Sequence, residues 1–435
     1  MDRAPPPPTA TAATLPAVVF GIDTPIGLAI VRDLGRHGVP VVGVARNHEG
    51  LGLHSRWLRR GLVREAGEEA QVAQLLRLGE ELGSACLFAI SEGDIAMLNR
   101  HRARLGRFIL MFADQARLDS VLNKDRTYEA AERVGVRTPR SAQAASMADV
   151  EAMCGVLRFP VVLKWANPHG VGARLRPHGL AVAKTHYCDT PEQLRAYMAR
   201  FAPAGIWPLV QEYVAGYGLG QFVLMKDGVA HYTFQHRRVH EWPPEGGFSS
   251  LCESVGAPEH AALMEKSIAL LRELEWEGVA MVEYRYDPAT GDAALMEVNG
   301  RFWGSLPLAY HAGANFPYLL YRLFGLGEAI APAPYRAGVR CRYMLPETKR
   351  LLRILFAQQK IPDRKLQFAR GAELAGYLFD FVRPGSHYYV YDARDRGPFF
   401  SDLKQMAKKA LGPILPKRRP APLPVPIEQD ARKGH

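Results

Sequence analysis

Two glutamates and an asparagine have the types and spacing of a divalent-cation site. Glu283 lies in one strand-like segment, and Glu297 and Asn299 lie in the next. Carboxylates that face each other across two strands repel unless a cation or a proton lies between them. Two carboxylates and an amide oxygen, with positions left for phosphate and water, suit Mg²⁺ or Mn²⁺ better than zinc. We therefore predict Glu283, Glu297 and Asn299 as metal ligands.

A predicted β-hairpin positions these side chains. Two apolar, β-prone segments flank a turn-rich pentapeptide, and these three pieces are 279–286, 293–299 and 288–292. If Asp287 faces Ala293, then Glu283 faces Glu297. Strand alternation then places Asn299 on the same face as Glu297. The hairpin therefore brings three oxygen-bearing side chains to one spot.

Two arginines near these acids favour different interpretations. Arg285 is expected on the same face, opposite Leu295, where it could pair with the acids in an ordinary charged sheet surface. Arg301 follows the metal-binding strand and could hold the phosphate or acyl-phosphate end of a reaction. The run Glu297–Arg301 favours the catalytic interpretation, because metal and arginine would then act on the same oxygens.

The composition excludes a disordered, collagen-like or disulfide-scaffold protein. The 435 residues are 48% hydrophobic and 23% charged, as expected of a globular chain with a large core. The net charge is +11, but residues 404–435 contain eight basic and two acidic residues, so the body is only mildly basic and its charge does not indicate nucleic-acid binding. Five widely spaced cysteines indicate reduced thiols and a cytoplasmic protein.

The chain begins with a proline-rich segment, 1–16, which we expect to be disordered. Alternating strand-like and helical segments then predict a parallel sheet over 17–118: strands near 17–20, 39–44, 85–90 and 108–112, and helices near 26–36 and 68–82. The loop 21–27 lacks the G-x-G-x-x-G spacing and carries Asp23, so a structural turn is favoured over a nicotinamide site.

The acid on one strand and the E-x-N-x-R run on the next resemble the signature of the ATP-grasp superfamily. Within it, the chain most resembles the predicted carboxylate-amine ligase group related to the large subunit of carbamoyl-phosphate synthetase. The resemblance spans about 17–330. It implies an α/β and α+β fold: a Rossmann-like domain at 17–118, a two-lobed ATP-grasp domain at 119–330 with lobes of about 119–205 and 206–330, and a C-terminal extension at 331–435.

The same resemblance implies roles for other residues. Lys124 and Lys164 would contact the ATP phosphates, and Arg174 lies in the loop 167–174, which would cover them. The linker between the lobes would hold the adenine, with Glu212 accepting from its amine and the backbone of Val214 addressing the ring edge; its residues are Gln211, Glu212, Tyr213 and Val214. Tyr217-Gly218 replaces the acid that many members use for the ribose.

The segment 236–250 combines the basic run His236-Arg237-Arg238 with a Gly-Gly-x-Ser turn. Arg238 could steady the acyl phosphate or the acceptor carboxylate, although a basic surface loop is an equal alternative.

The predicted function is a Mg-ATP-dependent ligase. It would activate a small-molecule carboxylate as an acyl phosphate for attack by an amine or similar nucleophile and release ADP and phosphate. The alternative is a non-catalytic ATP-binding sensor. The basic C-terminal residues, with amphipathic segments at 349–360 and 402–415, predict a weak membrane-surface contact, for which a solvated helical face is the alternative.

Overall fold

The structure is a computed structural model that describes residues 14–165, 168–182, 185–331, 333–361, 363 and 366–411. Most of the proline-rich lead and the tail after residue 411 therefore lie outside the described residues, as do Ala166 and Asn167. None of the helices in the described part of the chain combines the length and the apolar composition that a bilayer-spanning segment needs. The five cysteines are unpaired, and only Cys154 is more than slightly exposed.

The N-terminal domain is a parallel sheet of order β3-β2-β1-β4-β5. Its central strands are buried along their whole length, as parallel strands covered on both faces must be. The predicted strands and helices are present, and an edge strand, β3, was not predicted. The elements are β1 (Ala17–Phe20), α1 (Pro25–Arg36), β2 (Val41–Ala45), β3 (Leu58–Val63), α2 (Glu68–Leu82), β4 (Ala85–Ala89), α3 (Glu92–Arg100) and β5 (Phe108–Leu110).

The loop before α1 is a structural turn. The carboxylate of Asp23 accepts a hydrogen bond from the backbone of Arg46 at 2.8 Å. A Cβ at Gly27 would come within 2.5 Å of the Gly21 carbonyl, so helix and loop pack too closely for any other residue. These contacts favour the structural interpretation over a nicotinamide site.

The chain next forms two helices, which are not part of the following lobe, and then a lobe built on a four-stranded sheet of order β6-β9-β7-β8. It has its own core, which includes Val150, Leu163 and Val210. The sheet includes β9, so this lobe extends beyond residue 205, where the predicted first lobe ends. The elements are α4 (Gln115–Leu122), α5 (Lys124–Arg133), β6 (Ser141–Gln143), α6 (Met147–Val156), β7 (Val161–Lys164), α7 (Pro168–Leu175), β8 (His186–Cys188), α8 (Pro191–Ala199) and β9 (Leu209–Glu212).

The largest sheet has seven strands in the order β14-β13-β10-β11-β12-β15-β16. Helix α5 packs on one of its faces through Ala130 and Ala131, so this predicted part of the first lobe belongs to the core of the second. The elements up to residue 330 are β10 (Tyr217–Lys226), β11 (Val229–Trp242), β12 (Phe248–Ser254), α9 (Ala261–Glu273), β13 (Gly278–Tyr286), β14 (Ala293–Asn299), α10 (Leu306–Ala312) and α11 (Phe316–Leu320).

The C-terminal extension is integral to this body. Two of its strands complete the seven-stranded sheet, and its residues Cys341 and Tyr389 share one apolar core with Phe88 of the N-terminal domain and Phe222 of β10. Residue 330 therefore does not separate two independent cores. The elements are β15 (Arg340–Arg342), α12 (Met344–Ala357), α13 (Arg370–Phe379), β16 (Ser386–Tyr388) and α14 (Gly397–Leu411).

A buried ion pair fastens the extension to the N-terminal domain. Arg32 of α1 is 2% exposed and donates from Nε to Asp395 at 2.9 Å and from a terminal nitrogen to the carbonyl of Val390 at 2.8 Å. The Asp395 carboxylate also accepts from the Ser55 hydroxyl and the Arg56 backbone. Five hydrogen-bonding groups from distant parts of the chain thus meet at one site.

We expect Asp395→Ala to lower the free energy of unfolding by about 3–5 kcal/mol, because it leaves the Arg32 guanidinium buried without its counter-charge. Urea denaturation followed by circular dichroism measures this change. Arg394→Ala, at an exposed neighbouring position, is the control and should change stability by less than about 0.5 kcal/mol. A loss of that small size in Asp395→Ala as well would show that the pair does not support the fold.

Candidate active site

The candidate active site is a cavity of about 570 Å³ between the four-stranded lobe and one face of the seven-stranded sheet. Its described walls come from the lobe, from the linker after β9, from strands β10, β11, β13 and β14, and from the C-terminal extension. Of the predicted site residues, those that line it are Lys124, Lys164, Gln211, Glu212, Tyr213, Val214, Arg238, Glu283 and Glu297.

The two predicted metal-binding glutamates are direct cross-strand neighbours. Glu283 on β13 pairs with Glu297 on β14, as predicted. The pairs farther from the turn, up to Met281 with Asn299, also match the predicted register. The pairs nearer the turn are one residue out, because Ala293 faces Tyr286 and Arg285 faces Ala294. The cause is a β-bulge between Glu283 and Tyr284, where β14 has one extra residue and the register shifts by one.

The bulge also shapes the cavity wall. Met296 and Glu297 are adjacent in sequence, yet both line the cavity, which a regular strand would not allow. Arg285 lies on the cavity side with Glu283, as predicted, and donates to Glu241 at 3.0 Å rather than to the opposed glutamates. Arg285 therefore does not pair with Glu283 and Glu297, as the alternative interpretation required.

Glu283 is partly neutralised by Arg238. The Arg238 guanidinium donates to the Glu283 carboxylate at 2.5 Å, to Glu241 at 3.1 Å and to the Gly247 carbonyl at 2.9 Å. Burial nevertheless raises the pKa of Glu283 above its usual range; Arg238 opposes this rise, and the neighbouring Glu297 adds to it. A buried carboxylate with a second carboxylate beside it is a group that a bound cation would stabilise.

The donor chemistry of this pair fits Mg²⁺. Glu297 is exposed to the cavity and its carboxylate oxygens contact only Asn299 among the hydrogen-bonding partners of the described residues, so it is free to bind a hard cation together with Glu283. The described residues contain no group of three or more His, Cys, Asp and Glu side chains that together could hold a metal ion. Phosphate and water oxygens would therefore have to complete the coordination of Mg²⁺.

Asn299 and Arg301 are connected to Glu297 by a chain of hydrogen bonds. The amide of Asn299 donates to Glu297 at 3.0 Å, and its oxygen accepts from Arg301 at 3.1 Å. Arg301 also donates to Glu92 of the N-terminal domain at 3.0 Å. Neither residue is among the described lining residues of this cavity, and their roles as ligand and catalytic group stay predictions.

Two lysines face the carboxylates from other elements. Lys164, at the end of β7, donates to the Gln211 oxygen at 3.1 Å, and Lys124 starts α5. Burial, together with the charges of Lys124 and Arg285, lowers the pKa of Lys164 to about 8, although the two glutamates oppose this effect. An ammonium group held in a cluster of cations is suited to an anionic ligand such as a phosphate chain.

The linker residues line the cavity, but the Glu212 carboxylate is already occupied. It accepts from Arg137 at 2.7 Å and from the backbone of Arg140 at 3.2 Å. The predicted acceptance from an adenine amine would therefore fall to the backbone rather than to this carboxylate. Gln211 is buried and bound to Lys164.

The predicted phosphate-covering loop forms a helix over most of its length. Residues 168–175 are α7, and the predicted loop residue Asn167 lies outside the described residues. Arg174 is exposed in the last turn of α7 and is not among the described lining residues of the cavity. Its contact with phosphate stays a prediction.

The segment 236–250 is mainly strand rather than a surface loop, since it forms the end of β11, a turn and the start of β12. His236 is buried against Phe222, and this burial lowers its pKa to about 3, so it is not a surface base. Arg238 does reach the cavity. The alternative of a basic surface loop is wrong for both residues.

Sequence reasoning missed the contribution of the C-terminal extension. Arg350, Asp363, Leu366 and Phe368 line the cavity, and the Tyr213 hydroxyl donates to Asp363 at 3.2 Å. No motif marks these positions. The one sequence signal was indirect: Arg350 is a cation on the apolar side of an amphipathic helix, where it is 5% exposed.

Comparison with known proteins agrees with this architecture. Residues 223–345 match a family model described as ATP-grasp in the biosynthetic pathway with Ter operon. A comparison with curated proteins gives no match.

Solved structures with the same fold include three kinds of enzyme. L-amino acid ligase from Bacillus licheniformis is 16% identical with a TM-score of 0.52, over 72% of this chain and 75% of that one. The biotin carboxylase domain of Hydrogenobacter thermophilus 2-oxoglutarate carboxylase is 15% identical with a TM-score of 0.56, over 76% and 74%. Staphylococcus aureus N5-carboxyaminoimidazole synthetase is 12% identical with a TM-score of 0.56, over 80% and 86%.

The family match over residues 223–345 and the fold shared with these enzymes bear out the resemblance to the ATP-grasp superfamily that the sequence motifs indicated. At these identities the structural likeness concerns the fold, and the reaction has to be argued from the site.

Proposed function

We propose that this protein is a Mg-ATP-dependent ligase that activates a carboxylate as an acyl phosphate and transfers the acyl group to an amine or a similar nucleophile. The observation that carries the proposal is the opposed pair Glu283 and Glu297 in the wall of one cavity with Lys164 and Lys124. Such a site offers cation-binding oxygens next to phosphate-binding ammonium groups, which phosphoryl transfer requires.

The chain's own residues then have distinct tasks. Lys124 and Lys164 bind the phosphate chain, and Glu283 and Glu297 hold Mg²⁺, which supplies charge neutralisation at the transferring phosphoryl group. Arg238 lies beside Glu283 and is positioned to bind the acyl-phosphate oxygens. The linker, Gln211–Val214, holds the adenine through its backbone. Closure of the four-stranded lobe excludes water from the acyl phosphate.

The structural relatives support this class of reaction. An L-amino acid ligase, a biotin carboxylase and a carboxyaminoimidazole synthetase share the fold, and one biotin carboxylase structure contains MgADP and bicarbonate. The cytoplasmic location and the membrane-surface contact remain predictions. The residues of the basic tail after 411 lie outside the described ones.

The test is an ADP-release screen over carboxylates and amines, with product masses recorded. We expect ADP and phosphate to form only when a matching acid is present, and a condensed product to appear when the amine is added. AMP and pyrophosphate as products would contradict the acyl-phosphate route. Binding of Mg-ATP without ADP from any pair would instead identify a nucleotide sensor.

A further inference from the structure

A histidine and a buried glutamate form a hydrogen-bonded pair at the cavity wall, outside the residues assigned above. His240 lies on β11 and lines the cavity, with its side chain 22% exposed. Its Nδ1 lies 2.6 Å from the carboxylate of Glu347, which is 1% exposed and belongs to α12 of the C-terminal extension. The family match ends at residue 345, so it does not include Glu347.

Irregular strand geometry directs His240 into the cavity. In a regular strand, only alternate residues of β11 would face one side. Here the four consecutive residues 238–241 all line the cavity, because the pairing of β11 with β12 shifts register both before and after His240. Bulges of this kind re-aim side chains next to active sites.

The hydrogen bonds fix the tautomer of His240. The second oxygen of Glu347 accepts from the Ser250 hydroxyl at 2.6 Å, so both oxygens are used. Although burial opposes ionisation, the hydrogen bonds from His240 and Ser250 and the charge of Arg350 hold the pKa of Glu347 below its usual range. Glu347 also lies in the first turn of α12, where the helix dipole favours a negative charge.

An ionised carboxylate only accepts hydrogen bonds, so Nδ1 of His240 must donate to Glu347. In the neutral imidazole, Nε2 then carries a lone pair and no proton. No hydrogen bond to Nε2 is formed by the described residues, and the side chain borders the cavity. A buried acid that orients a histidine in this way is the arrangement of a general base.

We propose that His240 is the general base for the nucleophile of the ligation, and that Glu347 is its positioning residue; this inference rests on the proposed function. The nucleophile is then an amine that arrives as an ammonium ion. Nε2 takes one proton from its nitrogen, and the freed lone pair forms the C–N bond to the acyl carbon. The C–O bond to phosphate breaks with its electron pair on phosphate, which leaves with the second nitrogen-bound proton.

The test compares two nucleophiles with one acid from the ADP-release screen. Hydroxylamine is mostly unprotonated at neutral pH and needs no base, whereas the amine substrate does. We expect His240→Gln to lower the ratio of amide to hydroxamate formed at pH 7 by about 100-fold, a typical contribution of a general base. The difference in this ratio between His240→Gln and the unmodified protein should shrink as the pH rises, because the free amine then becomes abundant.

Several charged groups near His240 also bear on this pH profile. They are Arg238 and Glu241 on β11, Glu283 and Arg285 on β13, Glu245 in the turn, and Glu347 and Arg350 on α12. The comparison of the two nucleophiles at each pH cancels their effect on ATP binding and on acyl-phosphate formation, because both reactions share those steps.

Two further variants keep the test decisive. Glu347→Gln should also lower the ratio selectively, because it removes the charge that orients the imidazole. His231→Gln, on the same strand but outside the cavity lining, should leave the ratio unchanged. Equal losses of amide and hydroxamate in both cavity variants would show a structural role and overturn the proposal. Absence of hydroxamate in the unmodified protein would instead refute the proposed ligase function.

Discussion

Replacement of Glu297 by glutamine is expected to abolish ATP turnover and leave the fold intact. Glu297 is exposed in the cavity wall, so the amide replaces the carboxylate without burying an unpaired group. It would remove one of the two carboxylates that we propose as ligands of a cation, whose charge stabilisation contributes several kcal/mol. We therefore expect ADP release to fall by about 100-fold or more, as measured with a coupled assay at saturating Mg²⁺.

Asp292→Asn is the matched control, because Asp292 is an exposed acid in the turn of the same hairpin and does not line the cavity. Its ADP release should equal that of the unmodified protein. A thermal melt of each variant separates loss of chemistry from loss of fold. Undiminished turnover in Glu297→Gln would refute the metal assignment.

The second large effect concerns Lys164 and its dependence on pH. Its pKa of about 8 lies below the usual value for a lysine, because the side chain is buried beside Lys124 and Arg285. The ammonium is therefore mostly charged at pH 7 and mostly neutral at pH 9. We expect the affinity for ATP to fall roughly tenfold over this interval, as the charged fraction does. Lys164→Met should show weak binding at every pH.

Titration with ATP at pH 7, 8 and 9, followed by calorimetry, measures this effect. Lys164→Arg supplies the control, because a guanidinium stays charged throughout this range. Its affinity should vary much less with pH than that of the unmodified protein. The same tenfold decline in the arginine variant would place the titrating group elsewhere.

Much of the fold could be predicted because strand burial and helix periodicity are local properties. The strand segment 293–299 and the helix 68–82 have the observed bounds. The edge strand β3 was missed because its exposed residues, such as Arg59 and Arg60, do not produce an apolar run. Where strands from distant segments join one sheet is set by tertiary packing, and so β9, β15 and β16 could not be placed from the sequence.

The candidate site was predicted in part, and the strand pairs from Glu283–Glu297 to Met281–Asn299 were predicted by compensating errors. The assumed pairing of Asp287 with Ala293 was one residue out, and the bulge after Glu283 shifted the register back by one. A bulge has no dependable signature in a single sequence. Hydrogen bonds between distant side chains could not be predicted either. Nothing in the sequence shows that Arg137 donates to the Glu212 carboxylate or that α12 brings Glu347 to His240.

The separate core of the four-stranded lobe has a mechanical consequence. The N-terminal domain, the seven-stranded sheet and the extension share one core and are joined by Arg32 and Asp395. The lobe is connected to them in the chain only through 134–140 and 213–216. Nucleotide entry and product release would therefore occur by rotation of the four-stranded lobe, as one rigid body, about these two hinge segments. The rest of the molecule would keep its conformation.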